Sequence, residues 1–156
     1  MKSTWQHNIT DYNSSDNVGA GKLLARRSKP RILIVEDDMA YEPIWQYVLK
    51  KVNSKCRIQW TSSAAEADRI LSESHQKNNF FDLIISDIFV SGSKTGLDLW
   101  YKYGEPNNNM IIVSSIEYGK LFNYLGSGKR MPVYLMKPFD INECIKTVDE
   151  MLKPNK

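Results

Sequence analysis

The stretch at residues 80–87, with the sequence FFDLIISD, decides the fold of this chain. Its apolar centre, residues 83–85, predicts a short strand that is buried on both faces, as strands of parallel sheets are. Asp87 follows at the end of that strand. Because open α/β folds hold their ligands at the carboxyl edge of the sheet, we expect Asp87 to lie in a functional site.

Apolar runs alternate with helical periods along the rest of the chain from Pro30 onwards. We predict strands at residues 31–35, 57–60, 81–86, 110–113 and 133–136, and helices near residues 41–49, 64–71, 97–101, 118–125 and 140–152. Pro43 suits the first turn of the first helix, and Ser62 or Ser63 is available to cap the second. Asp140 is predicted to cap the fifth helix. The alternation predicts a doubly wound, five-stranded parallel sheet with five helices on its two faces.

The bulk composition limits the classes of function. The net charge of +3 comes from residues 1–30, with five basic and two acidic side chains, so the remainder is balanced. Direct DNA binding is therefore not expected. No apolar run approaches the roughly 18 residues of a membrane span. The two cysteines, Cys56 and Cys144, are too few for a disulfide framework and fit a cytoplasmic protein. We interpret residues 1–29 as a flexible leader, residues 30–156 as one domain, and expect no further domain after Lys156.

Polar residues follow four of the predicted strands and would meet at one edge of the sheet. They are Glu36 and Asp37 after the first, Asp87 after the third, Ser114 and Ser115 after the fourth, and Lys137 after the fifth. We expect Asp37 and Asp87 to face each other, and carboxylates that crowd together favour a bound cation such as Mg²⁺. Lys137 offers a positive charge for an anion, and Ser114 a hydroxyl donor. Such a site suits phosphoryl transfer to Asp87 as the nucleophile.

Each of these residues taken alone also has an ordinary structural interpretation. The acidic run Glu36-Asp37-Asp38 suits the start of a helix, Asp87 a loop cap, and Lys137 a surface position. Their joint occurrence, each at a strand end and in this order, is much harder to obtain by chance. The combination therefore favours a common site.

These residues resemble the receiver domain of two-component response regulators, over residues 31–152. The motifs are Glu36-Asp37-Asp38 after an apolar strand, the stretch at residues 81–87, Gly96-Leu97, Val113-Ser114-Ser115 and Lys137-Pro138-Phe139. The resemblance implies a flavodoxin-like sheet of order 2-1-3-4-5. The chain departs from the family after Asp87, where a Met-Pro pair is usual and the sequence here is Ile88-Phe89-Val90-Ser91.

The resemblance also implies a role for each residue of the site. Asp87 would accept a phosphoryl group from a phosphohistidine on a histidine kinase or a histidine phosphotransferase. Mg²⁺, or Mn²⁺, would be held by Glu36, Asp37, Asp87 and the backbone carbonyl of Phe89. Lys137 would bind the phosphoryl oxygens, and the Lys137–Pro138 peptide would be cis.

The resemblance also implies how phosphorylation would change the surface of the protein. Ser114 would close on the phosphoryl group, with Ser115 as the alternative, and Tyr134 would move inward. The face formed by the fourth helix, fifth strand and fifth helix would then change and bind a downstream protein. The resemblance implies either a monomer or a phosphorylation-dependent dimer, with no enzymatic activity beyond slow self-phosphorylation from small donors and autodephosphorylation.

Two other functions use similar residues. A receiver-like scaffold would bind partners without phosphorylation, but it needs none of the five side chains that the site retains. An aspartyl-phosphate phosphatase of the haloacid dehalogenase type needs a second Asp two residues after its nucleophile. Phe89 occupies that position, which disfavours the phosphatase.

Overall fold

Within the residues that this computed structural model describes, 29–104, 109–126 and 130–154, five strands form one parallel sheet. They are β1 (Arg31–Val35), β2 (Arg57–Thr61), β3 (Leu83–Asp87), β4 (Met110–Ser114) and β5 (Val133–Met136). Their spatial order is β2-β1-β3-β4-β5, with every pair parallel. The predicted sheet is confirmed. The proposed leader at residues 1–29 lies almost wholly outside the described residues.

Helical segments follow the strands along the chain. They are α1 (Glu42–Val52), α2 (Ala64–Gln76), α3 (Gly96–Leu99), α4 (Tyr118–Leu125) and α5 (Ile141–Leu152), with a 3₁₀ turn at Met39–Tyr41 and a π-helical segment at Trp100–Gly104. Pro43 lies in the first turn of α1, as predicted. The side chain of Ser63 caps α2 by accepting a hydrogen bond from the backbone N–H of Glu66, and Asp140 caps α5 in the same manner.

The two faces of the sheet pack against different helices. Along β1, Ile32 and Ile34 belong to a core that includes Trp45 and Val48 of α1 and Cys144 of α5. Their neighbours in the strand point to the other face, because side chains alternate along a strand. That second core is formed by buried side chains of β1, α2, α3 and α4, among them Leu33, Val35, Ala67, Leu71, Leu97 and Leu121. Both faces are covered, as a parallel sheet requires.

The structure differs from the predicted boundaries at three strands, at the third helix, and at the ends of α1 and α2, which run on to Val52 and Gln76. β3 begins at Leu83 and runs to Asp87, β2 extends to Thr61, and β4 extends to Ser114. The predicted short third helix is α3, which continues as the π-helical segment to Gly104. A Cβ on Gly104 would lie 1.9 Å from the ring of Trp100 in the same segment, so this wider turn needs a residue without a side chain at its last position.

A close backbone approach fixes the loop that returns from the sheet edge to α3. Gly96 donates its N–H to the carbonyl of Ile88 at 2.9 Å. A Cβ at Gly96 would lie only 2.0 Å from the carbonyl oxygen of Asp87. Glycine is therefore needed here to bring the start of α3 against the end of β3.

None of the helices in the described part of the chain combines the length and the apolar character that crossing a membrane requires.

Candidate functional site

The carboxyl edge of the sheet gathers four of the predicted residues. Parallel register places Ser86 of β3 opposite Val35 of β1, and Ser114 of β4 opposite Met136 of β5. Glu36 follows β1, Asp87 ends β3, Ser114 ends β4, and Lys137 follows β5. Their common location at one edge follows from the strand order.

An ion-paired group, which we call the sheet-edge cluster, consists of Glu36, Asp87 and Lys137. The Lys137 ammonium Nζ lies 2.6 Å from Glu36 Oε2 and 2.5 Å from Asp87 Oδ2. The three side chains are only 1%, 10% and 9% exposed, in the same order. The Lys137–Pro138 peptide is cis, as the resemblance implied. One ammonium thus forms ion pairs with two nearly buried carboxylates.

Burial and charge act in opposite directions on these groups. Burial raises the pKa of the Glu36 carboxyl, and this outweighs the hydrogen bonds from Lys137 and from the backbone of Asp38. Burial alone would lower the pKa of the Lys137 ammonium, but the bonds to Asp87 and Glu36 outweigh it and raise that pKa. Lys137 is therefore a permanent cation in the site at neutral pH.

The backbone around Glu36 is held by hydrogen bonds that the sequence did not reveal. The indole Nε1 of Trp60, on β2, donates to the Glu36 carbonyl at 2.9 Å. The Glu36 N–H donates to the carbonyl of Thr61 at 3.0 Å, and the Asp38 N–H donates to Glu36 Oε1 at 3.1 Å. These bonds fix both the main chain and the carboxylate of Glu36, which supports its position beside Lys137.

Both carboxylate oxygens of Asp87 have partners. Oδ2 faces Lys137, and Oδ1 accepts a hydrogen bond from the backbone N–H of Phe89 at 3.0 Å. The Phe89 side chain itself is 52% exposed. Asp87 is therefore oriented from two sides, while the loop directly after it presents an apolar side chain to solvent.

The side chain of Asp37 has a hydrogen-bond partner in the loop after β3. Its side chain is exposed, and Oδ2 accepts a hydrogen bond from the Ser91 hydroxyl at 2.9 Å. Ser91 belongs to the loop after β3 and also forms a parallel bridge with Ser63. The structure thus links Asp37 to this loop, and sequence reasoning missed Ser91 because no strand or helix period places a loop residue.

The donor chemistry at this edge fits a hard divalent cation, since Glu36, Asp37 and Asp87 offer only carboxylate oxygens. Three negative charges face the single positive charge of Lys137, which leaves an excess that a cation would offset. In the side-chain arrangement that the structure describes, however, no group of three or more His, Cys, Asp or Glu residues is placed to hold a metal ion. The ammonium of Lys137 joins Glu36 to Asp87 instead.

Ser114 and Tyr134 connect the sheet edge with the start of α4. Ser114 is buried, whereas Ser115 is exposed. The Ser114 hydroxyl accepts from the Ile116 N–H at 3.3 Å, and its carbonyl accepts from the Lys137 N–H at 2.8 Å. The hydroxyl of Tyr134 donates to the carbonyls of Ser114 and Ile116. Of the two serines, this geometry favours Ser114, which shares the buried edge with Lys137.

The overall structure resembles many solved structures, although the sequence matches no protein-family model and no curated protein. One match is a CheY-like response regulator receiver domain protein from Methanospirillum hungatei JF-1, at 24% identity and a TM-score of 0.61. It covers 80% of this chain and 94% of that one. The chain has the receiver-domain fold. The resemblance stated from the sequence is thus confirmed at the level of the fold.

Further structures agree with this assignment. A signal receiver domain of an HD domain-containing protein from Pseudomonas fluorescens Pf-5 is 20% identical, with a TM-score of 0.64 and coverage of 81% of this chain and 88% of that one. A response regulator receiver domain protein from Bacillus halodurans C-125 is 21% identical, with a TM-score of 0.59 and coverage of 81% and 99%. The described receiver fold thus spans nearly the whole of these domains.

Proposed function

We propose that this protein is a phosphorylatable signalling switch in which Asp87 accepts a phosphoryl group from a phosphohistidine of a histidine kinase or phosphotransferase. The observation that carries the proposal is the Lys137 ammonium 2.5 Å from Asp87 Oδ2, at the carboxyl edge of a receiver fold. A carboxylate held beside a cation at the sheet edge is suited to react with an electrophilic phosphorus.

The transfer requires one bond to form and one to break. An Asp87 carboxylate oxygen attacks the phosphorus of the donor, and the new O–P bond forms as the P–N bond breaks. The electron pair of that bond remains on the imidazole nitrogen of the donor. Lys137 would offset the negative charge of the transferred oxygens. Electrostatic stabilisation of this kind is usually the largest single contribution to catalysis.

Mg²⁺ or Mn²⁺ is the cofactor that we propose for this site. Glu36, Asp37 and Asp87, with the backbone carbonyl of Phe89, would hold it. When bound, the ion would supply further charge compensation for the phosphoryl oxygens. The Asp37–Ser91 hydrogen bond and the Lys137 ion pairs are the contacts that the protein would exchange on binding it.

The proposed readout uses the link from Ser114 through Tyr134 to α4. The ring of Tyr134 lies 5.8 Å from that of Tyr118, in the first turn of α4. Tyr118, Phe122 and Met136 are each about half exposed, so the α4-β5-α5 face offers apolar surface to a downstream protein or a second copy. Phosphorylation would alter this face, and the protein would act by partner binding rather than by turning over a separate substrate.

Acetyl phosphate with Mg²⁺, followed by intact mass measurement, tests the proposal. We expect one phosphoryl adduct that is stable in acid and labile in base, and none on Asp87→Ala. Asp68→Ala is the matched control, because Asp68 also contacts lysine ammonium groups but lies on α2. An adduct that survives Asp87→Ala would refute the assignment. No adduct on the wild type, from either acetyl phosphate or a phosphohistidine donor, would favour a phosphorylation-independent scaffold.

A further inference from the structure

The aromatic ring of Tyr41 lies against the ammonium group of the sheet-edge cluster. Lys137 Nζ is 3.9 Å from the centroid of the Tyr41 ring, well within the range of a cation–π interaction. Tyr41 is the last residue of the 3₁₀ turn before α1, and it is half-buried. The ammonium thus has two carboxylates as hydrogen-bond acceptors and a ring face as a third neighbour.

The Tyr41 ring is itself held by a series of aromatic contacts. It meets the ring of Phe139 edge to face, at 5.4 Å and 70°. Phe139 meets the fully buried ring of Trp45 at 5.0 Å and 63°. Trp45 lies on α1, and Phe139 follows Lys137 by two residues. Edge-to-face contacts of this kind add stability beyond area burial, so the ring position is set by the core between α1 and α5.

We propose that Tyr41 is a positioning residue that keeps the Lys137 ammonium at the sheet edge while its carboxylate partners change. This inference rests on the proposed function, in which Lys137 leaves at least part of its contact with Asp87 to meet the phosphoryl oxygens. A ring face attracts the charge of the ammonium but accepts none of its three N–H groups in a conventional hydrogen bond. The ring therefore retains the cation without competing with an incoming anion.

A second lysine–tyrosine pair on α1 provides the matched control. Lys51 Nζ lies 5.4 Å from the ring centroid of Tyr47, and the Tyr47 side chain is exposed. Its loss removes a ring of the same chemistry from α1, which begins directly after Tyr41, but away from the sheet edge. Tyr41→Phe is the conservative variant, because it keeps the ring face and removes only the hydroxyl.

Proton NMR of the Lys137 side chain tests the contact directly. In the wild type we expect the ε-methylene protons of Lys137 to be shifted upfield by the ring current of Tyr41. The shift should persist in Tyr41→Phe and Tyr47→Leu and disappear in Tyr41→Leu. Wild-type protein without an upfield shift would overturn the inference before any variant is made.

Binding of beryllofluoride, a phosphoryl analogue, in the presence of Mg²⁺ tests the role. We expect Tyr41→Leu to weaken it by about three- to tenfold, the range of a partly buried cation–π contact. Tyr41→Phe and Tyr47→Leu should stay within about twofold of the wild type. If Tyr41→Leu does not fold, as judged by its amide spectrum, Tyr41→Met replaces it with a flexible side chain of similar length.

The outcomes separate this inference from the proposed function. Wild-type affinity in Tyr41→Leu, or an equal loss in Tyr41→Phe, would overturn the positioning role while beryllofluoride binding still supported the switch. No binding of beryllofluoride by the wild type, together with a clear ring-current shift, would instead count against the proposed function. The contact between Tyr41 and Lys137 would then remain as a structural one only.

Discussion

Asp87 at the sheet edge and Asp68 on α2 are both held by lysine side chains, but their surroundings are opposite in charge balance. Asp87 shares one ammonium, that of Lys137, with Glu36. Asp68 accepts from two ammonium groups, those of Lys94 and Lys102, at 2.7 Å each. The Tyr103 hydroxyl also donates to the Asp68 carboxylate. We call this second group, Asp68 with Lys94, Lys102 and Tyr103, the α2 clasp.

The difference in charge balance distinguishes the proposed phosphoacceptor from Asp68. The hydrogen bond from Lys102, followed by those from Lys94 and Tyr103, holds the pKa of the Asp68 carboxyl well below its usual range. The α2 clasp is thus saturated with donors, and it ties α2 to the loop before α3 and to the π-helical segment. The sheet-edge cluster has more carboxylates than cations and can gain from another positive charge. The proposed phosphoacceptor site and the α2 clasp therefore combine carboxylates and lysines in opposite ratios.

Of the substitutions that test this comparison, removal of Lys137 should have the largest effect on stability. Lys137→Met leaves Glu36 and Asp87 buried without their cation, and we expect the free energy of unfolding to fall by about 2–4 kcal/mol at neutral pH. Lys102→Met is the control, since its side chain is 56% exposed and Asp68 keeps Lys94, so its cost should be below about 1 kcal/mol. Urea unfolding without divalent ions measures both. Equal costs would show that the two clusters are energetically alike.

Asp68→Asn should have a smaller effect on stability and none on phosphoryl acceptance. The amide retains the shape but loses the charge that Lys94 and Lys102 share, so a cost of about 1 kcal/mol is expected. Amide hydrogen exchange should accelerate at Lys94 and Thr95, where the loop joins α3. The acetyl phosphate adduct on Asp87 should form as in the wild type. Loss of that adduct would mean that the α2 clasp also supports the reactive carboxylate.

Ser114 belongs to the hydrogen-bonded link between the sheet-edge cluster and α4, so a substitution there should interrupt it. In Ser114→Ala the hydroxyl that accepts from the Ile116 N–H is gone, whereas Ser115→Ala changes an exposed side chain. We expect both variants to form the phosphoryl adduct. Only Ser114→Ala should reduce the adduct-induced amide shifts of α4 by more than about half, because one hydrogen bond of this link is worth on the order of 1 kcal/mol. A larger loss in Ser115→Ala would make Ser115 the switch hydroxyl.

Local sequence patterns predicted the sheet because its inner strands are apolar on both faces. β3 and β4 are buried throughout, so their apolar runs identify them. β2 lies at an edge with three exposed residues out of five, and its pattern is correspondingly weaker. The π-helical segment was missed, because it depends on the fit of Gly104 against Trp100, which no period of hydrophobicity records. Periodicity reports burial, not this kind of packing.

The site was predictable to the extent that strand ends place side chains. Glu36, Asp87 and Lys137 lie at strand ends, and the structure brings them together through direct ion pairs. Two contacts were not predictable in this way: the hydrogen bond from Ser91 to Asp37, and the packing of the Tyr41 ring against Lys137. Ser91 lies in a loop, and Tyr41 falls within the apolar period predicted for the first helix. Contacts that depend on loop paths and rotamers require coordinates.

The contributions of Glu36 and Asp68 to the free energy of unfolding should also change with pH in opposite directions. This is the smallest effect that we expect from the comparison. The pKa of Glu36 is raised above its ordinary 4.5, so the unfolded chain loses this proton first and stability falls as pH rises from 4.5 through the folded pKa. The pKa of Asp68 is lowered from 3.8, so its contribution is present above that pH and is lost as pH falls. Urea unfolding from pH 3 to 7 measures this dependence as the wild type minus Glu36→Gln or Asp68→Asn. We expect the Glu36 difference to decrease with rising pH and the Asp68 difference to increase. If both differences change in the same direction, the burial of Glu36 does not outweigh its bond to Lys137.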